Sequence, residues 1–171
     1  MISGSNINIL ALNKESESLI LSWVNNPELK RNIGTIYPIS EFEHEVWFRN
    51  RAMDSINKTY IIWHKSDKKI IGIVGNKNTD FINRNTEIFL YVGEEAYRGK
   101  GLGKEVVELF TEFLFKQLNM HKVYLRVFSY NIQALKCYKK LNFEVEGNFK
   151  EAIFKDGKYY DVIILAKLNN L

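Results

Sequence analysis

The strongest candidate for chemistry is the stretch at residues 98–104, R-G-K-G-L-G-K, which combines three glycines with three cations. An apolar pattern of helical spacing follows it, so the stretch lies at the start of a predicted helix. Glycines let consecutive backbone N–H groups approach a ligand closely. A helix N-terminus adds unpaired donors and partial positive charge. Together these features predict an anion site that suits a phosphate group.

The loop matches neither of two common phosphate-binding patterns. The pattern G-x-x-x-x-G-K-[ST] fails because only three residues separate Gly99 from Gly103, and Glu105 stands at the Ser/Thr position. The dinucleotide pattern G-x-G-x-x-G fails because Lys104 occupies its third glycine position. What remains is R-x-x-G-x-G, between a predicted strand and a predicted helix. A glycine-rich turn with a helix cap is the alternative that involves no ligand.

Composition describes an ordinary globular chain of 171 residues with a formal net charge of +4. The single cysteine, Cys137, excludes an internal disulfide, and the three histidines show no ligand spacing, so no metal is expected. No apolar run approaches the roughly 20 residues of a membrane helix, and the start lacks the features of a signal peptide. These observations predict a cytoplasmic protein that does not act at a membrane.

The elements that position the loop follow the predicted order β-α-α-β-β-β-α-β-α-β-β, with no linker or repeat over residues 1–171. This order predicts a single α/β domain with a mixed sheet covered by helices. Pro27 is expected to end the first helix. Ser40 followed by Glu43 predicts a capping box at the start of the second helix. The glycine loop falls in the one β-loop-α-β segment.

Two segments resemble the GNAT acetyltransferase superfamily. The stretch YVGEEAYRGKGLGKEVVELF is similar to the family's acetyl-coenzyme A loop, in which R/Q-x-x-G-x-G/A holds the coenzyme A pyrophosphate on a helix N-terminus. The stretch YLRVFSYNIQALKCYKKLNFEVEG is similar to the family's following strand and helix. The resemblance covers roughly residues 7 to 168 and is closest to the ribosomal-protein N-terminal, spermidine and amino-sugar acetyltransferases. It implies a mostly antiparallel sheet of about seven strands with helices on both faces, and splayed central strands that hold acetyl-CoA.

The resemblance also implies which residues bind acetyl-CoA. The strand before the loop is expected to hold the acetyl thioester through its backbone amides, and one face of a later helix is expected to line the pantetheine arm. The implied cofactor-binding residues are Tyr91, Val92, Arg98, Gly99, Lys100, Gly101, Leu102, Gly103, Lys104, Asn131 and Ala134.

Tyr138 is the candidate general acid. It shares one helix face with Asn131 and Ala134, because the three are spaced i, i+3 and i+7. In the family the matching tyrosine often protonates the departing thiolate, and the alternative is a core aromatic. Asn131 can cap the helix or reach a ligand amide. Cys137 lies about 100° away from that face and is expected to be a packing residue.

The general base is where the sequence departs from the family. Some ribosomal-protein acetyltransferases carry a glutamate on the strand before the asparagine, but this chain has Arg126 there, and arginine is not a base at ordinary pH. Glu87 is the next candidate, because it alternates with Phe89 and Tyr91 on one face of the strand that leads into the loop. A salt-bridge partner or edge residue, and a water chain serving as base, remain alternatives.

The acceptor is the least predictable part. We expect a primary amine of a small molecule, with an amino sugar or nucleotide-linked amino sugar favoured by resemblance. A polyamine or a ribosomal-protein N-terminus is the alternative, and a noncatalytic coenzyme A or nucleotide-binding module is a more distant one.

Trp23 and Trp47 are expected in the core and His44 at the surface. No nucleic-acid partner is expected, because the charge is dispersed, and a homodimer is considered.

Overall fold

The computed structural model describes residues 1–169, which contain eight strands and five α-helices. In chain order they are β1 Ile2–Ser3, β2 Ile7–Ala11, α1 Lys14–Asn25, α2 Pro27–Ile33, α3 Glu41–Met53, β3 Thr59–His64, β4 Lys69–Asp80, β5 Asn85–Val92, α4 Leu102–Lys116, β6 Lys122–Phe128, α5 Ile132–Lys140, β7 Glu144–Lys155 and β8 Lys158–Leu168. Residues 170 and 171 of the predicted domain lie outside the described residues.

The strands hydrogen-bond in the order β1-β2-β3-β4-β5-β6-β8-β7. Antiparallel pairing joins β1 to β2, β2 to β3, β3 to β4, β6 to β8 and β7 to β8, whereas β5 and β6 are parallel. The predicted mixed, mostly antiparallel α/β sheet is therefore confirmed. The additional strand is β1, whose two residues are too short to give a sequence pattern.

The parallel pairing of β5 with β6 is short. It joins Asn85 to Lys122, Thr86 to Val123 and Glu87 to Tyr124, and ends there. Strand β5 continues for five residues beyond its last pair, to Val92, and β6 for four, to Phe128. The ladder thus ends early and leaves the backbone groups beyond Glu87 without a β5–β6 partner; the splay that the resemblance implied stays a prediction.

The described residues form two compact units, which divide β4, β5 and α4 between them. The first unit comprises residues 1–77 and 89–110, and the second comprises residues 78–88 and those from 111 onward. The core of the first unit contains Trp23, as predicted, with Trp47 packed against it. Its buried members are Ile20, Trp23, Leu29, Ile61, Ile70 and Ile73.

Helix caps in the first unit follow the sequence closely, with one difference. Ser40 and Glu43 form the predicted capping box of α3. The first helix ends at Asn25, just before Pro27 as predicted, but Pro27 also begins α2. There the Asn26 side chain accepts hydrogen bonds from the amides of Glu28 and Leu29. Proline is favoured at the first helical position because its missing N–H would have no partner there. The sequence reasoning therefore missed α2.

His44 was expected at the surface, and this expectation is wrong. It is only 3% exposed, its ring stacks on Trp47 with centroids 5.4 Å apart, and its Nε2 lies 2.7 Å from the carbonyl oxygen of Glu17. A carbonyl only accepts, so Nε2 carries the proton and donates. His44 therefore joins α3 to α1 as a buried, hydrogen-bonded residue.

In the second unit, β6 alternates strictly between two environments. Val123, Leu125 and Val127 are buried, whereas the residues between them are more exposed. Successive side chains of a strand point to opposite faces, so Tyr124 and Arg126 share the face opposite to this apolar row. The same alternation places Phe128 on their face.

Tyr91 is a polar exception within the first unit. Its ring meets Trp23 edge-on at 6.3 Å, and its hydroxyl is buried without a hydrogen-bond partner among the described residues. Burial raises the pKa of this phenol, which keeps it neutral but does not supply a partner. An unsatisfied buried hydroxyl costs about 1–3 kcal/mol.

We therefore expect Tyr91→Phe to increase the free energy of unfolding by about 1 kcal/mol, measured by urea denaturation. The pH dependence has a defined sign. An unfolded phenol ionises near pH 10, before the buried one does, so the wild-type protein loses stability as the pH rises above about 10. The variant should lose less.

Tyr97→Phe is the matched control, because the Tyr97 hydroxyl donates to Asp67 in the same unit. Removing a hydroxyl that has a partner should not stabilise the protein. If both variants gain stability equally, the missing partner of Tyr91 is not the cause.

Candidate active site

The glycine loop has the backbone that an anion site requires. Gly99 and Gly101 adopt φ values of +73° and +81°, and a Cβ at either position would have no atom within 4 Å. These glycines are therefore needed for their left-handed conformation, and space is left above the loop. The amides of Lys104 and Glu105 bond to the Gly101 carbonyl at 3.0 and 3.2 Å. The amides of Leu102 and Gly103 precede the first intrahelical bond and have no helical acceptor.

The side chain of Arg98 turns back onto the strand before the loop. Its Nε donates to the Val92 carbonyl at 3.0 Å and one terminal nitrogen donates to the Gly93 carbonyl at 2.7 Å. The other terminal nitrogen lies 3.2 Å from a carboxylate oxygen of Glu28. Arg98 thus joins the end of β5 to the loop and to α2. Its sequence-based role as a phosphate ligand stays a prediction.

The turn between β5 and the loop is also held by Trp23. The indole Nε1 donates to a carboxylate oxygen of Glu94 at 3.0 Å. A Cβ at Gly93 would lie 2.1 Å from the indole ring, so only glycine allows this approach. The amides of Gly93 and Glu94 both bond to the Ile71 carbonyl. These contacts fix the direction in which the chain enters the loop.

The remaining loop side chains divide between the surface and the core. Leu102 is 7% exposed and anchors the start of α4. Lys100 lies over the Tyr97 ring, 5.6 Å from its centroid, and Lys104 lies 3.7 Å from Glu108 on the next turn of α4. Both amines are at the surface and provide positive charge around the loop.

Glu87, the candidate base that the sequence predicted, is a buried acid of the second unit. Its side chain is 2% exposed, and Oε2 accepts a hydrogen bond of 2.9 Å from the Nδ2 of Asn78. The Nε of Arg126 lies 3.6 Å from the same oxygen. Both the base and the salt-bridge interpretations of Glu87 are therefore compatible with its surroundings. The burial itself distinguishes it from a surface ion pair.

Sequence reasoning missed two residues at this carboxylate, Asn78 and Tyr124. Tyr124 is paired with Glu87 across the parallel ladder, and burial, followed by the Glu87 charge, raises the pKa of its phenol. Asn78 has a φ of +51°, a conformation that asparagine tolerates better than most residues. The alternation of β6 could have revealed Tyr124, but the second asparagine of N-K-N-T-D carries no comparable signal.

Helix α5 carries the other predicted residues of the second unit. Asn131 is its N-cap, and its Oδ1 accepts a hydrogen bond of 3.1 Å from the Ala134 amide. The capping role that the sequence allowed is thus observed. The Nδ2 group of Asn131 bonds to no residue that the structure describes, so it is free to donate to a ligand.

Tyr138 is half-buried near the end of α5. Its ring contacts Phe143 edge-on at 5.9 Å, and burial, with a smaller effect of the neighbouring Cys137, raises the pKa of its hydroxyl. The phenol therefore stays protonated throughout the physiological range and can donate a proton. No described residue accepts a hydrogen bond from it. The second unit thus carries both residues for which the sequence predicted a catalytic role, Glu87 and Tyr138, and these roles stay predictions.

Within residues 1–169, no group of three or more His, Cys, Asp or Glu side chains is arranged to hold a metal ion. None of the helices in that range is both long enough and apolar enough to span a membrane.

Known proteins with similar structures and sequences indicate the family of this chain. The crystal structure of spermidine N-acetyltransferase from Vibrio cholerae, in complex with CoA and spermine, superposes with a TM-score of 0.90 at 25% identity and covers 96% of both chains. The spermidine N(1)-acetyltransferase of Vibrio cholerae is 27% identical over 146 residues, 83% of this chain and 83% of that protein. Acetyltransferase PseH of Campylobacter jejuni is 28% identical over 147 residues, 84% of this chain and 87% of that protein.

A family model described as the acetyltransferase (GNAT) domain matches residues 7–144, which is most of the chain. The match includes β5, the glycine loop, α4 and α5, the elements that carry the residues described above. The protein therefore belongs to the GNAT acetyltransferase family and is an N-acetyltransferase that takes its acetyl group from acetyl-CoA.

Proposed function

We propose that the protein transfers an acetyl group from acetyl-CoA directly to the primary amine of a small molecule, with an amino sugar or nucleotide-linked amino sugar favoured. The observation that carries this proposal is the position of Glu87. It is a buried carboxylate at the last pair of the β5–β6 ladder. A carboxylate that is kept from bulk water at the point where two central strands part is suited to accept a proton from an amine.

The glycine loop supplies the proposed site for coenzyme A. The unpaired amides at the start of α4, together with Lys100 and Lys104, suit the negatively charged pyrophosphate. Tyr91 and Val92 are proposed to hold the acetyl thioester through their backbone amides. Asn131 and Ala134 are proposed to line the pantetheine arm, with the free Nδ2 of Asn131 as a donor to it. Gly99, Gly101, Leu102 and Gly103 shape the loop, and Arg98 holds it in place.

The proposed reaction is a direct transfer. Glu87, or a water that it holds, accepts a proton as the amine nitrogen attacks the thioester carbonyl. The tetrahedral intermediate collapses, the carbon–sulfur bond breaks and the amide forms. Tyr138 donates its proton to the departing thiolate and regains one from solvent. Protons are balanced, because one is taken from the amine and one is given to sulfur.

The segment between α1 and α3 favours an amino sugar over a polyamine. Residues 26–39 contain one acid, Glu28, against Lys30 and Arg31. Glu28 is already paired with Arg98. A polycation usually needs several acids for recognition, and this segment does not offer them. Polyamine acetylation is the second candidate, because the spermidine N-acetyltransferase of Vibrio cholerae has the same fold. N-terminal acetylation of a ribosomal protein and assembly as a homodimer stay predictions.

The proposal is tested by an acetyl-transfer screen over amino sugars, polyamines and N-terminal peptides, with release of free CoA as the readout. We expect turnover with an amino sugar. If spermidine is the one amine that is acetylated, polyamine acetylation replaces amino-sugar acetylation as the proposed function. If none of the amines is acetylated, the proposed catalysis of N-acetylation is contradicted.

Gly101→Asp tests the coenzyme A loop. The new carboxylate would stand where the pyrophosphate is expected, so acetyl-CoA affinity should fall about 100-fold or more, roughly 3 kcal/mol, measured by calorimetry. Gly157→Asp is the matched control, because Gly157 also has a positive φ (+77°) and open space at its Cβ. Both variants should lose similar stability, and only Gly101→Asp should lose affinity. Unchanged affinity would remove the proposed loop site.

Tyr138→Phe tests the general acid. It keeps the ring that packs on Phe143 and removes only the hydroxyl, so we expect kcat to fall by about 100-fold or more, with acetyl-CoA affinity and melting temperature nearly unchanged. Cys137→Ala is the neighbouring control and should leave kcat unchanged, because direct transfer needs no cysteine nucleophile. Full kcat in Tyr138→Phe would make Tyr138 a packing residue, and a large loss in Cys137→Ala would indicate a covalent intermediate.

A further inference from the structure

We propose that Arg126 determines acceptor specificity: it selects amines that carry an anionic group near the amino group, and it disfavours polycations. This inference rests on the proposed function, because it places the reacting amine at Glu87. Arginine at this position removes a base that some relatives have, and the geometry assigns it a different task.

Arg126 is the solvent-exposed member of its ion pair with Glu87. Its side chain is 48% exposed, whereas the side chain of Glu87 is 2% exposed. It lies on β6 two residues beyond the last β5–β6 pair, on the face opposite to the apolar row of Val123, Leu125 and Val127. The guanidinium is therefore exposed to solvent beside the buried carboxylate.

The pairing with Glu87 leaves most of the guanidinium available. A guanidinium has five N–H donors, and its closest approach to Glu87 is 3.6 Å, at one nitrogen. That distance is longer than the bonds of about 2.7–2.9 Å in a close charge-assisted pair. The same carboxylate oxygen already accepts from Asn78. Across the antiparallel ladder, the partner of Arg126 on β8 is the apolar Ile164.

The residues that follow Arg126 on this face are aromatic, and one lysine lies over them. Phe128 stacks on Tyr130 with ring centroids 5.4 Å apart, and the amine of Lys155 lies over the Tyr130 ring at 6.0 Å. The nearby acid, Asp161, accepts hydrogen bonds from the side chain of Asn148 and the amide of Glu151. Its carboxylate is thus engaged within its own hairpin.

These charges favour one class of acceptor. An amine that gives its proton to Glu87 must approach within ion-pair range of the guanidinium. A phosphate or carboxylate on the same molecule would gain charge-assisted hydrogen bonds from Arg126. A second or third ammonium group on a polyamine would be repelled by it. Phosphate and carboxylate share this chemistry, so the test must separate the two.

The test compares acceptors that share an amine and differ in charge. Glucosamine 6-phosphate and UDP-glucosamine carry phosphate, muramic acid carries a carboxylate, glucosamine is the uncharged reference, and spermidine is the polycation. We expect the kcat/KM ratio of the best anionic acceptor to glucosamine to be about tenfold or more. Arg126→Gln should reduce this ratio to near one and raise relative activity on spermidine. A ratio taken within one variant cancels any effect on Glu87 as base.

Lys122→Gln is the matched control. Lys122 lies on the same strand and the same face, about 13 Å from Arg126 along the strand, and pairs with Glu146. Removing its charge should preserve the preference. Equal loss of the preference in both variants, or a wild-type protein with no preference for an anionic acceptor, would overturn the assignment.

A second readout separates this inference from the proposed function. Calorimetry measures binding of glucosamine 6-phosphate, UDP-glucosamine and muramic acid to the CoA-saturated protein. If an anionic amine binds more weakly to Arg126→Gln but not to Lys122→Gln, the result supports the inference even without acetyl transfer. Absence of acetyl transfer would contradict only the proposed function. Acetyl transfer without any dependence on Arg126 overturns the inference and leaves the function standing. Absence of binding by every anionic amine overturns it as well.

Discussion

The early end of the β5–β6 ladder is the constraint on which the rest of the site depends. Backbone N–H and C=O groups need partners, and a ladder that ended later would supply them with neighbouring backbone. Here the parallel pairing stops at Glu87 and Tyr124. The ladder end leaves the backbone groups beyond it without a β5–β6 partner and has the buried carboxylate of Glu87 at its last pair. A buried carboxylate is costly unless it is hydrogen-bonded or paired, and Asn78 and Arg126 meet that need.

A second group of unsatisfied backbone donors lies at the start of α4. The left-handed conformation of Gly99 and Gly101 suits glycine alone, and glycines lose much conformational entropy on folding, so ordering the loop calls for contacts from elsewhere in the chain. The guanidinium of Arg98 supplies them through the carbonyls of Val92 and Gly93. Positive charge in the R-x-x-G-x-G pattern therefore stabilises the loop in addition to any attraction it exerts on an anion.

Much of the fold followed from local signals in the sequence. The apolar periodicity of α4 and the capping box at Ser40 were sufficient because each depends on a few neighbouring residues. The missed elements lacked such signals: β1 has two residues, and Pro27 marks both the end of one helix and the start of another. His44 was misplaced because its burial depends on Trp47 and the Glu17 carbonyl. The second of these lies on a different helix, which periodicity does not reveal.

The candidate site was predictable to a similar degree and for similar reasons. The loop and the helix face with Tyr138 are local patterns, so sequence and resemblance could single them out, and their roles stay predictions. The surroundings of Glu87 are not local, because Asn78 and Arg126 come from separate strands. Alternation on β5 could select Glu87, but only the structure shows that the arginine standing at a family position for a base is paired with it.

The pH dependence of kcat/KM in wild type and Glu87→Gln tests the central claim most directly, that the carboxylate at the ladder end accepts the proton of the amine. The substitution keeps the size of the side chain and removes its ability to take a proton. The account predicts that the rate on the plateau of the profile, where the amine is neutral, falls about 100-fold or more, with acetyl-CoA affinity retained. A variant whose plateau rate stays near that of the wild type would contradict the account.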